Sequence, residues 1–299
     1  MAWIFFLLFS VAIAGPKSAQ TTFERSQTAA AVQFDYAWKD ASGKKRKLTF
    51  ALPKDGVDAD REEVTWMQRK LLYEHVAKEV RAFAKKQKKK GVTMKVKVDK
   101  GVQISASGPP KEARAALNAA EILRDEATEG WLVDHDFMRM KNGDVSFDHA
   151  SLAASYAKDL RPVAKALRKG TKTDREFIER ALSFVQSIPY EKRKMKGGDP
   201  GYRRPLALLF RNRGDCDSKA VLFLGIVHAE LPKLPLAMVY VPGHALTGVG
   251  LDKDKGDKMF KADGVKFIYA EPVGPALHGL GTPDPANKKS GKKGEVVLL

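Results

Sequence analysis

The stretch RGDCDSKAVLFLGIVHA, residues 213–229, places the single cysteine of the chain, Cys216, directly before a long apolar run. Gly214 precedes the cysteine by two positions, and this pattern predicts a helix that begins at Cys216. A helix N-terminus favours a thiolate, and the N–H groups of its first turn can bind an oxyanion. Asp215 and Asp217 oppose a low thiol pKa because they add negative charge. A reactive nucleophile and a buried, unreactive cysteine therefore both remain open.

A thiol nucleophile needs a base, and His244 is the best candidate among the six histidines of the chain. It lies in the turn sequence VPGHA between two apolar segments that are predicted strands. A third group must orient the imidazole, and Glu271 ends a predicted strand directly before a proline. Asp263 is the alternative third member. Purely structural roles remain open for the histidine and for the carboxylates.

The order of these residues resembles that of the transglutaminase-like superfamily, whose members have a papain-type fold. The resemblance rests on GDCDSKA opening a helix, on His244 opening a strand and on an acid–proline pair ending the next strand. The phrase FVQSIPY, residues 184–190, resembles the segment before the cysteine helix in bacterial members, and the resemblance covers about residues 148–275. It implies that Cys216 forms an acyl intermediate, that His244 is the base and that Glu271 orients it. Family members are peptidases, amidases or amide cross-linkers, and some are inactive.

The composition excludes several classes of protein. The chain has 299 residues, 43% of them hydrophobic, and no compositional bias, so it is neither collagenous nor wholly disordered nor a many-span membrane protein. A single cysteine cannot form a disulfide within the chain. The formal net charge of +17 favours acidic partners such as anionic lipid headgroups, cell-wall polymers or nucleic acid.

The predicted elements make the chain an α+β protein with two domains. Residues 15–140 read as a smaller α+β domain, in which a hairpin and a helix are followed by a second hairpin and a second helix. These elements are predicted at residues 32–52, 60–90, 92–106 and 110–129. Residues 145–280 carry helices first and strands second, which predicts helices packed on an antiparallel sheet, the transglutaminase-like domain of the resemblance. Its helices are predicted at 148–169, at 174–187 and from Cys216, and its strands at 237–241, 245–249 and 265–271.

The two ends of the chain carry their own signals. Residues 1–14 form an uncharged apolar run that ends in Ala-Ile-Ala, which predicts a secretory signal peptide cleaved after Ala14. The run is shorter than the roughly 20 apolar residues of a membrane-spanning helix, and a short uncleaved anchor is the alternative. We therefore expect a periplasmic or secreted protein with no transmembrane segment after cleavage and no nucleic-acid partner. Residues 281–299 are predicted to be a basic flexible tail.

Two charged stretches have competing interpretations. The sequence DKDKGD, residues 252–257, faintly resembles a calcium loop, but its lysines repel a divalent cation and no glutamate closes it, so we predict a solvated hairpin and no metal site. The lysines of residues 85–90, with Lys95, Lys97 and Lys100, either bind a polyanion or complement a helix dipole, and the second interpretation is favoured.

The leading hypothesis is an exported cysteine-dependent acyl-transfer enzyme that acts on peptide or side-chain amide bonds through Cys216, His244 and Glu271. It needs no cofactor, and its partner is a protein or peptide substrate. The alternative is a non-catalytic protein of the same fold, in which the basic N-terminal domain binds an anionic cell-envelope polymer. Reactivity at Cys216 would separate the two hypotheses.

Overall fold

The computed structural model describes residues 19–62, 64, 66–88, 91–191, 202–284 and 294–299. The predicted signal peptide lies outside the described residues. The described residues form eight helices and twelve strands, so the chain is an α+β protein, as predicted. In chain order the elements are β1 (Gln20–Gln27), β2 (Ala31–Lys39), β3 (Lys45–Pro53), α1 (Lys54–Asp60), α2 (Arg69–Lys88), β4 (Thr93–Val98), β5 (Val102–Ser107), α3 (Pro110–Asp134), β6 (Phe137–Arg139), β7 (Val145–Phe147), α4 (His149–Ser155), α5 (Ala157–Arg168), α6 (Asp174–Ser187), α7 (Pro205–Arg211), α8 (Cys216–Glu230), β8 (Leu236–Val241), β9 (His244–Val249), β10 (Met259–Ala262), β11 (Val265–Ala270) and β12 (Glu295–Leu298).

The chain divides into two compact units. The first unit consists of Met1–Val64 and His149–Leu299, and the second consists of Thr65–Asp148. This division differs from the predicted domain at residues 15–140, because the strands β1 to β3 belong to the first unit. The predicted boundary after residue 140 lies close to the point where the chain leaves the second unit.

The aromatic face of β2 explains why the N-terminal strands belong to the first unit. Strands β1, β2 and β3 form an antiparallel sheet, and alternate residues of β2, including Tyr36 and Trp38, are buried. The ring of Phe184 in α6 lies 5.0 Å from that of Tyr36 and 5.5 Å from that of Trp38. The Trp38 indole N–H donates a 3.1 Å hydrogen bond to Ser183 Oγ. The apolar face of the hairpin is therefore covered by α6, about 145 residues further along the chain.

Helix α8 is the central element of the first unit. Its residues 218–227 are all buried, and it packs against α4, α5, α6, α7 and β9. A helix that is apolar all round is expected to be enclosed in this way. Gly225 permits the close approach, because an added Cβ would lie 2.7 Å from Leu160 Cδ1 and 3.1 Å from the carbonyl oxygen of Ala153. The enclosure gives the first residue of the helix, Cys216, a fixed position.

The second layer of this unit is a curled antiparallel half-barrel of five strands in the order β10-β11-β9-β8-β12. A tight turn with Gly243 at φ +72° joins β8 to β9 and makes His244 the first residue of β9. Strand β11 pairs with β9 so that Ala270 lies opposite Thr247. The register brings the residue after β11, Glu271, to the end of the sheet at which β9 begins.

The predicted flexible tail at residues 281–299 is wrong for its last residues. Strand β12 pairs antiparallel with β8, with Glu295 opposite Tyr240 and Leu298 opposite Ala237. A free edge of a sheet leaves backbone groups unpaired, and the short apolar run EVVL supplies partners for the edge of β8. Residues 285–293 of the predicted tail lie outside the described residues.

The second unit is built from two helices and two hairpins. The hairpin β4–β5 and the helices α2 and α3 were predicted, although α2 begins only at Arg69 and α3 continues to Asp134. Both helices pack on this hairpin and on each other. Trp66, Phe137 and Phe147 form an aromatic cluster at the short hairpin β6–β7. Of the helices that the structure describes, none has the length and apolar character needed to cross a bilayer.

Candidate active site

Cys216 is the first residue of α8, as predicted. Asp215 caps the helix, and its Oδ1 accepts hydrogen bonds from the backbone N–H of Ser218 at 3.0 Å and from the Ser218 hydroxyl at 2.5 Å. Ser218 is fully buried, and its Oγ also accepts the backbone N–H of Arg203 at 2.7 Å. These bonds attach the helix start to the segment that follows residue 201. The thiol itself is half-buried.

The surroundings of the Cys216 thiol hold its proton in place. Burial and the negative charges of Asp217 and Asp215 raise its pKa to about 12, although a hydrogen bond from the backbone N–H of Ala245 acts in the opposite direction. The thiol donates to Asp217 Oδ1 at a distance of 3.6 Å. The acidic neighbours thus have the effect expected from the sequence. The sulfur is a neutral thiol at neutral pH.

Asp217 is a member of this site that the sequence analysis counted only as an opposing charge. Burial and the adjacent Asp215 raise its pKa to about 6, while the thiol hydrogen bond and the charge of His244 lower it. The carboxyl group therefore lies close to both the thiol and the imidazole. Its position beside the cysteine was visible in the sequence, but its burial was not.

His244 and Glu271 form a direct pair. The distance from His244 Nε2 to Glu271 Oε1 is 2.8 Å, and Glu271 is 4% exposed. The other carboxylate oxygen, Oε2, accepts the backbone N–H of Asp284 at 2.8 Å. Burial acts to raise the pKa of Glu271, but the hydrogen bonds from His244 and Asp284 outweigh it and lower the pKa. The carboxylate is therefore charged and holds Nε2, so Nδ1 is the ring nitrogen that remains for the thiol.

Asp263, the alternative to Glu271, lies elsewhere. It is exposed in the turn between β10 and β11, where its φ is +45°. Glu271 follows the opposite end of β11. Of the two candidate acids, the one that contacts His244 is Glu271.

The backbone of β9 connects the pair to the thiol. Ala245 follows His244 directly, and its backbone N–H acts on the Cys216 thiol, so the start of β9 lies against the start of α8. The structure thus brings Cys216, His244 and Glu271 to one place. An imidazole held by a buried carboxylate beside a thiol can accept the thiol proton while the sulfur attacks an electrophile.

Two buried polar residues form hydrogen bonds with backbone carbonyl groups near the site. Gln186 in α6 donates from Nε2 to the carbonyl oxygens of Glu271 and His278, each at 2.8 Å. Lys219, fully buried one turn after Cys216, donates from Nζ to the carbonyl of Ile188 at 2.6 Å. Burial lowers the pKa of Lys219 to about 7. The sequence analysis missed both residues, although a lysine within the apolar run of α8 was a visible irregularity.

Tyr190 borders the thiol on its exposed side. It forms a parallel bridge with Gly214, two residues before the cysteine, and its side chain is 45% exposed. Burial raises its pKa, as do the ionised form of Cys216 and the charges of Asp215 and Asp217, which places the hydroxyl near the thiol. An exposed aromatic side chain at this position is available to a substrate.

The acidic loop at residues 252–257 binds the side chain of an arginine of the same chain. The Arg175 guanidinium lies 2.9 Å from Asp254 Oδ2 and 2.8 Å from Asp257 Oδ2, and it donates to the carbonyl of Asp252 at 2.9 Å. The loop is exposed to solvent, as the sequence predicted, but it surrounds an arginine and is not a hairpin, because the strands it joins, β9 and β10, do not pair. Within the described ranges no group of three or more His, Cys, Asp or Glu residues is placed to hold a metal ion.

Comparisons of this chain with protein-family models, with curated proteins and with solved structures found no match.

Proposed function

We propose that the chain is a thiol-dependent acyl-transfer enzyme that acts on peptide or side-chain amide bonds, in a papain-type domain of the transglutaminase-like kind. The observation that carries the proposal is the 2.8 Å contact between His244 and the buried Glu271, beside a helix that begins with the only cysteine. Burying a charged carboxylate is costly unless it is paired. A buried acid that orients an imidazole next to a nucleophile is the arrangement that acyl transfer requires.

In the first half of the reaction, His244 takes the proton from Cys216 as the sulfur attacks the carbonyl carbon of the amide. The carbonyl oxygen becomes an oxyanion, which the first-turn N–H groups of α8 are placed to stabilise, since the helix begins at the nucleophile. The C–N bond then breaks, and the protonated His244 gives its proton to the departing amine. The product of this half-reaction is a thioester on Cys216.

In the second half, water or an amine attacks the thioester carbon and gives a proton to His244. The C–S bond breaks, and the proton passes from His244 to the sulfur, which restores the thiol. Water gives a carboxylic acid and an amine gives a new amide. Hydrolysis and cross-linking therefore share the same residues.

The raised pKa of Cys216 favours one form of this mechanism. A thiol with a pKa of about 12 is not a preformed thiolate at neutral pH. His244 must therefore remove the proton during the attack, as it does for a serine hydroxyl, and Glu271 stabilises the imidazolium that forms. Alkylation by a simple reagent that makes no use of this geometry should be slow.

The test uses p-nitrophenyl acetate, an activated acyl donor that needs no specific recognition. We expect p-nitrophenol release together with an acetyl group on Cys216, detected by the mass of the intact protein and of its peptides. Cys216→Ala should abolish the acetylation, and His244→Ala should slow it by about a thousandfold or more. His75→Ala, which removes an exposed histidine on α2, is the matched control and should react like the unmodified protein.

Equal acetylation rates in His244→Ala and in the unmodified protein would refute the mechanism. Thermal unfolding of each variant shows that a loss of rate is not a loss of structure. A mature N-terminus at Gly15 in material recovered from outside the cytoplasm would support the proposed export.

One observation favours a second candidate function, that of a non-catalytic protein which binds an anionic envelope polymer. On the hairpin β4–β5 one face is exposed, and it carries Lys95 and Lys97 opposite Ser105 and Gln103. This face is basic and polar. Salt-sensitive binding of an anionic polymer, lost on Lys95→Glu, together with an unreactive Cys216 would favour this function over the enzyme.

A further inference from the structure

A pocket rich in arginine is lined in part by Arg213, three residues before Cys216. It has a volume of about 390 Å³, and five of its eight lining residues are arginines, with one glutamate and two phenylalanines. We call it the arginine pocket. Its lining residues are Phe23, Arg25, Arg61, Glu191, Arg203, Phe210, Arg211 and Arg213.

The positive charge of this pocket is only partly compensated. Arg203 forms two bonds with Glu191, at 2.8 and 3.1 Å, and Arg61 pairs with Asp58 at 2.9 Å. Arg25 and Arg213 form no ion pair with any residue in the described part of the chain. Burial lowers the pKa of Arg25, as do the charges of Arg61 and Arg211. The arginines therefore repel one another, and an anion between them would relieve that repulsion.

The geometry of the pocket suits a carboxylate on a short apolar stem. The guanidiniums of Arg25 and Arg61 lie 3.8 and 4.0 Å from the centre of the Phe210 ring. Both guanidiniums stack on this ring, which restricts their orientations. A fixed guanidinium fork binds a carboxylate through two parallel hydrogen bonds. The ring of Phe23 offers an apolar wall to methylene groups.

The pocket adjoins the candidate nucleophile along two segments of the chain. Arg213 precedes Cys216 by three residues, and Glu191 follows Tyr190, which borders the thiol. The backbone N–H of Glu191 donates to the carbonyl of Gly214 at 3.0 Å and joins the two segments. The pocket wall at Arg213 and the helix start at Cys216 therefore belong to one short stretch of backbone, which is hydrogen-bonded to Glu191.

We infer that the arginine pocket binds a carboxylate side chain of the peptide that serves as acyl donor, so that the substrates are acidic peptides. The inference rests on the proposed function for the presence of a peptide at Cys216. The net charge of +17 assists it, because a positive protein attracts acidic chains from a distance.

The experiment measures binding without chemistry, in the full chain carrying Cys216→Ala. The probe is a fluorescein-labelled peptide of alternating Glu and Gly, compared by fluorescence anisotropy with the same peptide carrying Gln in place of Glu. We expect the Glu peptide to bind about tenfold more tightly or better, since it makes charge-assisted hydrogen bonds. Its binding should weaken as the ionic strength rises from about 0.1 M to about 1 M.

Two pocket variants and one control locate the binding. Arg213→Glu and Arg61→Ala should each lower the affinity for the Glu peptide by about tenfold or more. Arg161→Glu changes an exposed arginine on α5 by the same charge and should leave the affinity within about twofold. Both pocket arginines are exposed, so their replacement should not prevent folding, and thermal unfolding checks this.

Any one of three results would overturn the inference. The first is equal affinity for the Glu and Gln peptides, and the second is an equal loss of affinity in Arg213→Glu and Arg161→Glu. The third is binding of linear polyphosphate with no binding of the Glu peptide. Failure here and failure of the proposed function are separate results. Acetylation of Cys216 without selective peptide binding removes only the pocket assignment. Selective peptide binding without acetylation removes only the enzyme.

Discussion

Glu271 and Asp217 are two carboxylic acids that flank the same histidine, yet their environments act on them in opposite directions. Glu271 receives hydrogen bonds from His244 and from the backbone of Asp284, and its pKa is lowered. Asp217 is half-buried beside Asp215, and its pKa is raised to about 6. Donated hydrogen bonds keep Glu271 charged, while burial and the like charge of Asp215 make Asp217 a group that titrates near neutrality. The comparison shows that the neighbours of a carboxyl group decide its role.

Removing the carboxylate of Glu271 should have the largest effect of the changes considered, and it should act on the rate of acetylation. Glu271→Ala takes the partner from His244 Nε2 and leaves the imidazolium without a stabilising charge, so acetylation of Cys216 should slow by about a thousandfold. Glu271→Gln keeps an acceptor but not the charge and should show a smaller loss. The measurement is the rate of p-nitrophenol release. Glu121→Ala, on the exposed side of α3, is the control, and a similar loss in that variant would contradict the prediction.

The buried lysine beneath the site should make stability depend on pH. The pKa of Lys219 is about 7 in the folded protein and about 10.5 in the unfolded chain. Between these values only the unfolded chain binds the proton, so the free energy of unfolding should rise with pH, by roughly 4 kcal/mol across the window. Lys219→Met should lack this rise. Urea unfolding from pH 6 to 10 measures the difference between the two proteins.

Lys165→Met, which removes an exposed lysine of α5, is the control for this stability measurement. It should keep the pH dependence of the unmodified protein. A difference between Lys219→Met and the unmodified protein that stays constant with pH would show that Lys219 is charged in the folded state.

The segment that carries Glu271 should tolerate no side chain at Gly274. A Cβ at this position would lie 2.2 Å from the carbonyl oxygen of Gln186, so Gly274→Ala should lower the free energy of unfolding by about 3 kcal/mol. Gly130 in α3 has open space around it, and Gly130→Ala should instead stabilise its helix by up to about 1 kcal/mol. Thermal unfolding of both variants tests the contrast. Equal melting temperatures would contradict it.

Neutralising Asp217 should have the smallest effect of the four changes. It should increase the reactivity of the thiol. Asp217→Asn removes a charge that raises the pKa of Cys216, so alkylation by iodoacetamide at pH 8 should become about tenfold faster. Asp99→Asn, in the exposed turn between β4 and β5, should change nothing. Alkylation of the unmodified protein at the rate of a free cysteine would contradict the raised pKa on which this prediction rests.

Local patterns were sufficient to predict one part of the molecule. The start of α8 follows from Gly214, Asp215 and the apolar run, because caps and periodicity act within a few residues. The position of His244 at the start of a strand follows from a Pro-Gly turn between two apolar segments. Glu271 was singled out by its place at the end of a strand, but the choice between it and Asp263 needed the register of β11 on β9.

Other parts required the fold. Strand β12 resembled a basic tail because its partner, the edge of β8, lies more than fifty residues earlier in the chain. The hairpin β2–β3 was predicted as an element, but its place on α6 depends on contacts between Trp38, Tyr36 and Phe184. The arginine pocket gathers side chains from positions 23 to 213. None of these pairings leaves a signal in neighbouring residues.

The sequence by itself determined the α+β class, the helix that begins at Cys216 and the turn that presents His244, since these depend on propensities and patterns of short range. The tertiary structure alone decided that Glu271 is the acid on His244, that the thiol keeps its proton and that Lys219 is buried. The physical reason is that charge states depend on burial and on groups a few ångströms away, and folding brings those groups together from distant parts of the chain.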